Sequence, residues 1–226
     1  MQRYNVFNQI HKGLRAFLYD TALSIQQTWF ADPAAAGPVL EKIEAVLQFF
    51  DGHAHHEDHF ILPAVEQYNK ALVDEFEKEH VMDLALSNRL RSLLNIYRHA
   101  VSGEEKLEAG SAISKAFVEF MVFNLQHMAK EEILLNNALW QHYTDQEILD
   151  IQQRLLATIS PQEMALSGKW MFRGINDIEA TYWLTGVRNT APEFVFQSLA
   201  QLGAKELPAE RWSEIWNNVN QNTMVA

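Results

Sequence analysis

The sequence predicts an all-α protein, an up-down-up-down four-helix bundle followed by a C-terminal helical extension, on three observations. Apolar residues recur three and four apart almost throughout, as in Phe7, Ile10, Leu14, Phe17 and Leu18 or Val118, Met121, Val122 and Leu125, and no alternation of period two is sustained. Turn-forming clusters cut the first two-thirds of the chain into four long stretches of this pattern. Composition completes the case: 226 residues, 48% hydrophobic, with only 9 Gly and 6 Pro, exclude a collagen-like or disordered chain.

Taken in order, the first helix runs toward Ala31, and residues 31–37 (ADPAAAG) separate it from the second. Pro63 lacks a backbone donor and clashes with the carbonyl of His59, so the second helix is expected to kink or end there, with a turn between about residues 67 and 73. Ser102-Gly103 closes the third stretch, and Ser102 with Glu105 has the spacing of a capping box that opens the fourth. Thr144 with Glu147, Ser160 with Glu163 and Thr190 with Glu193 repeat that start signal, the second with Pro161 in the first helical position. The expected organisation is therefore a bundle over residues 1–143 and an extension of shorter helices over residues 144–226. Four of the six tryptophans, Trp170, Trp183, Trp212 and Trp216, lie in the extension, an aromatic load that implies packing against the bundle, a second copy or a protein partner.

Eighteen basic against 29 acidic residues leave a formal charge of −11, which excludes a broad footprint for nucleic acid or an anionic membrane. No run approaches the roughly 20 apolar residues that span a bilayer, since Glu119 interrupts residues 116–125, and the N-terminus has no secretory pattern. The expectation is a soluble, cytoplasmic protein. With no cysteine, thiolate zinc sites, iron–sulfur clusters and a cysteine nucleophile are excluded, and any metal must be held by nitrogen and oxygen.

The nine histidines are unevenly placed. His53, His55, His56 and His59 crowd one segment, while His11, His80 and His127 each sit in a different long helix. Both His53 with Glu57 and His127 with Glu131 read His-x-x-x-Glu, a spacing that stacks imidazole and carboxylate one turn apart on one helical face. Two such faces opposed in a bundle, joined by one histidine from each remaining helix, direct four nitrogens and two carboxylates at one centre. That set holds two metal ions, because a carboxylate bridges and an imidazole terminates, and its mixed donors suit iron or manganese, with zinc a further candidate. Ferritin-like oxidases use Glu-x-x-His, the reverse order.

These residues resemble the hemerythrin-like, or HHE cation-binding, domains. The resemblance covers about residues 4–143 and rests on Ile10-His11-Lys12, on His53-x-x-His56-Glu57-Asp58 followed by Ile61-Leu62-Pro63, on Glu79-His80, and on His127-x-x-x-Glu131-Glu132. It implies a non-haem di-iron site in which His11, His53, His80 and His127 are terminal ligands and Glu57 and Glu131 bridge. Two departures matter. Oxygen-carrying hemerythrins place a second histidine one turn after the third-helix ligand, where this chain has Leu84, and iron-sensing relatives place a carboxylate directly after the second-helix histidine, where it has Ala54. His56 is either a seventh ligand or a hydrogen-bonding neighbour of the ligands. His55 and His59 read as exposed, His99 and His142 as helix C-terminal residues, Met82, Met121 and Met128 as core, and Asp74, Glu75, Glu77 and Glu79 as a solvated face.

The function expected is binding or sensing of iron or of a small molecule such as oxygen or nitric oxide. The alternatives are a di-iron enzyme reducing nitric oxide or peroxide, and a helical interaction scaffold.

Overall fold

In the computed structural model, which describes residues 3–221, the described chain is helical with no strand. The helices are α1 (Asn8–Gln27), α2 (Pro33–His56), a π-helical segment (Glu57–Ile61), α3 (Leu62–Glu66), α4 (Lys70–His99), α5 (Gly103–His142), α6 (Asp145–Leu156), α7 (Pro161–Gly174), α8 (Asp177–Thr190), α9 (Glu193–Glu206) and α10 (Ala209–Asn220). None is long and apolar enough to cross a membrane. They fall into two compact units: one takes the chain up to Phe7 together with Phe17–Thr158, the other Asn8–Ala16 together with the chain from Ile159.

Local chemistry explains most of the boundaries. The Ser102–Glu105, Thr144–Glu147 and Ser160–Glu163 capping boxes open α5, α6 and α7, each hydroxyl accepting from the third backbone amide while the glutamate accepts from the cap. Two expectations need correction. Residues 31–37 are not a linker, because Asp32 caps the helix with Pro33 at its first position, so α2 already includes the alanines. Thr190 does not open a helix. It ends α8, where its hydroxyl donates to the Gly186 carbonyl, and Pro192 begins α9 without a side-chain cap. The capping box of α8 is formed instead by Asn176 and Glu179.

The break expected at Pro63 takes a particular form. Proline cannot donate and crowds the carbonyl four residues back, and the chain widens just ahead of it into a π turn in which the Leu62 amide donates to the Glu57 carbonyl. The turn that follows is residues 67–69, closed by Asn69 capping α4.

In the first unit, apolar residues form two zones along α2, α4 and α5. One combines Ile61, Leu62, Val65, Val73, Phe76, Leu135 and Leu139 with Ile148 and Ile151 of α6. The other includes Phe50 and Phe120, whose rings meet edge to face at 5.2 Å, and the buried Leu90 and Leu94. Buried polar residues lie between these zones. Gly110 lets Phe30 approach α5 where a Cβ would collide with the ring.

The second unit has its own core, in which Phe172, Leu184, Phe196, Leu199 and Ile215 are packed by Trp183, Trp212 and Trp216. The Trp212 and Trp216 rings stack at 5.4 Å, so much of the aromatic load of the extension is spent on itself. Lys12, from the early part of α1, pairs with Glu179 at 2.5 Å within this unit.

Candidate metal centre

Three consecutive segments of the first unit bring acids and imidazoles into its interior. On α5, His127 and Glu131 stand one turn apart, with His127 Nε2 2.9 Å from Glu131 Oε1. At the junction of α2 with the π turn, His53 Nε2 lies 3.2 Å from Glu57 Oε1. The π turn begins at Glu57, so the wider backbone ring lies where this carboxylate is aimed inward. From α4, His80 Nε2 faces Glu57 Oε2 at 3.4 Å and Glu131 Oε1 at 4.0 Å, outside the usual range of about 2.7–3.2 Å for a good hydrogen bond.

Donor atoms of Glu57, His80, His127 and Glu131 all lie within 4.8 Å of one another, and those of His53, Glu57 and Glu131 do so as well. The two glutamates belong to both sets. Glu57 and Glu131 are 2% and 0% exposed, a depth at which unpaired carboxylates would be strongly destabilising. Nitrogen and oxygen donors facing one space, with two carboxylates shared between two groups of imidazoles, fit divalent metal ions, and the donor set matches iron, manganese or zinc.

A second ring of acids orients the imidazoles. His80 Nδ1 donates to Asp58 Oδ1 at 2.6 Å, and His127 Nδ1 donates to Glu79 Oε2 at 2.7 Å. Each bond favours the tautomer that leaves the Nε2 lone pair available to a cation. Glu79 is thus no member of a solvated face: it holds His127 and is itself paired with Lys130, which also reaches Glu75 at 2.6 Å. One turn from these imidazoles, buried Asp83 accepts from the Asn124 amide at 2.6 Å.

Electrostatics follow from this crowding. Burial alone would lower the His80 pKa, but Asp58 and Glu57 outweigh it and raise it to about 10. At His127 burial acts the same way and is overcome by Glu131, Glu57 and Glu79, giving about 9. Burial pushes the Asp83 carboxyl up, against the Asn124 hydrogen bond. The interior potential that holds protons on two imidazoles is equally favourable to a metal cation.

The remaining candidates are placed as follows. His11 is completely buried on α1. His56 is half-buried and falls outside both donor sets, and His55 and His59 are exposed. Met128 is fully buried, whereas Met82 is 51% exposed and is not core, and Leu84 also faces solvent.

Asp58, Glu79, Asp83 and Asn124 were not identified as site residues from sequence. A signal existed for two of them, since Asp83 follows His80 by three and Asn124 precedes His127 by three, positions that share the ligand faces. In comparisons with known proteins no family model, no curated protein and no solved structure matches this chain.

Proposed function

We propose that the chain is a hemerythrin-like protein whose α1, α2, α4 and α5 form a four-helix bundle around two iron ions, and that it binds or senses iron or a small molecule such as oxygen or nitric oxide. The observation that carries this reading is that two buried glutamates are shared by two donor groups, one with the α2 imidazole His53 and one with His80 of α4 and His127 of α5, each group's donor atoms lying within 4.8 Å of one another. Glu57 and Glu131 would bridge the ions and offset their charge, and His80 and His127 would terminate one of them. His53 would terminate the other, a role that the hemerythrin-like resemblance also gives to His11, which is completely buried on α1. When bound, the ions supply redox-active open positions for a diatomic or peroxide ligand.

The chain's own contribution is to hold these donors and to exclude water. Asp58 and Glu79 fix the imidazole tautomers, and the buried Phe76 ring packs edge to face against His127 at 5.6 Å. Leu84 faces solvent, so no further histidine would join His80 and His127 from this turn of α4, which favours sensing or reactivity over transport.

The test is metal analysis and optical spectroscopy of anaerobically purified protein beside its His53→Ala, Glu57→Ala and Glu131→Ala variants. Iron near two per chain, largely lost from folded variants, is expected. Near-stoichiometric retention in all three variants discards the site. Reversible spectral change on adding oxygen or nitric oxide to the reduced protein identifies a binding protein, and turnover identifies an enzyme.

A further inference from the structure

The histidines of α2 beyond His53 have a use that the buried centre does not absorb. His55 and His59 are both exposed, four residues apart, with ring centroids 4.0 Å apart and planes inclined at 41°. The His59 Nδ1 atom lies 2.7 Å from the His55 carbonyl oxygen. A carbonyl only accepts, so Nδ1 carries the proton and the Nε2 lone pair is left as the available donor. Among the described residues no hydrogen bond engages the His55 ring. Two imidazoles held in this way form a chelate: with metal–nitrogen bonds of about 2.0–2.1 Å, the two ligating atoms on one ion stand about 3 Å apart, a separation that rings this close can provide.

Position gives the pair a role. At about 100° per residue around α2, His56 lies about 60° round from His53 and His55 about 160° round, so His56 falls between the buried face and the exposed pair. His55 and His59 are exposed, whereas His56 and His53 are both half-buried, the His53 side chain being 10% exposed. The His55 and His56 rings are 5.8 Å apart.

Building on the buried centre proposed above, we propose that His55 and His59 form an outer, solvent-facing site for a divalent transition-metal ion, from which the buried centre is filled past His56. Two protein nitrogens with water in the other positions bind weakly and exchange freely, whereas the buried set adds carboxylates and excludes water. An ion therefore moves from fewer donors to more along one helix.

The probe is cobalt(II), added anaerobically to the full chain. Equilibrium dialysis counts all bound ions, desalting leaves only the buried ones, and stopped-flow absorbance follows filling at substoichiometric metal. The wild type is expected to bind one labile ion beyond those retained after desalting. The His55→Ala/His59→Ala chain is expected to lack that ion, to retain the same buried number, and to fill several-fold more slowly. A His99→Ala/His142→Ala chain, altered at other exposed histidines, should match the wild type. Absence of a labile ion that depends on the pair, or equal filling rates in wild type and the His55/His59 variant, overturns the proposal. A wild-type chain retaining no cobalt after desalting overturns the buried centre instead, and the labile ion is counted independently of it.

Discussion

Glu57 and Glu131 bring two carboxylates into an interior where they face the imidazoles of His80 and His127, and this balance sets a pH dependence of known sign. Without metal, both imidazoles are protonated in the folded chain, their pKa values raised from 6.5 to about 10 and about 9. A raised folded-state pKa means stability that is fully present below about pH 6.5 and is lost as pH climbs through 9 to 10. Metal requires the neutral imidazole, so its affinity moves the other way and grows with pH. Thermal melts of chelator-treated protein should therefore fall between pH 7 and 10, while the increment from saturating metal widens. Flat curves for both would show that these imidazoles carry no charge in the folded chain. Glu79→Ala should weaken metal binding by roughly 10–100-fold in chelator competition, because it frees His127 Nδ1 and leaves the buried ligands themselves in place. An unchanged affinity would reduce Glu79 to a surface ion pair with Lys130. The ligand pairs were legible because a spacing of four is a face, whatever the fold. Glu79 was not, because it stands among Asp74, Glu75 and Glu77, and only the packing of α4 against α5 decides which acid turns inward.

Among the elements, the π turn at Glu57–Ile61 is the one whose backbone is tied to the site. Pro63 announced an irregularity, and the structure answers with a widened turn where a kink or an end was expected. In Pro63→Ala the restored donor permits an ordinary α-helical path through His59, which would rotate Glu57 away from its present aim. Unchanged helical circular dichroism with weaker metal binding is expected, and full metal affinity would show that Glu57 is placed by packing alone. Helix starts that rest on a side chain and a glutamate three residues later were readable at α5, α6 and α7. The same rule failed at Thr190, where proline sets the start of α9, and at α8 the cap is Asn176, whose amide oxygen replaces a hydroxyl. The alanines after Pro33 looked like a linker because they lack periodic apolar residues, yet alanine has the highest helix propensity and Asp32 supplies the cap.

Across the whole molecule, the division into two units was the feature hardest to foresee. Helical periodicity identifies faces but does not say which face meets which, and the early turns of α1 are as amphipathic as the later ones although the two belong to different units. The tryptophans of the second unit were visible as a cluster in sequence, and their use in a separate core emerged only from packing. In the first unit, apolar zones around Phe76 and around Phe50 and Phe120 lie on either side of the polar residues along α4 and α5, and Glu57 and Glu131 are buried between them. Anomalous diffraction at the iron edge, from crystals of anaerobically purified protein, tests the central claim most directly. Two peaks about 3.5–4 Å apart between Glu57 and Glu131, within bonding distance of His53, His80 and His127, are the expected result. A map with no anomalous density among these five side chains, at full occupancy of iron elsewhere or with none at all, would contradict it.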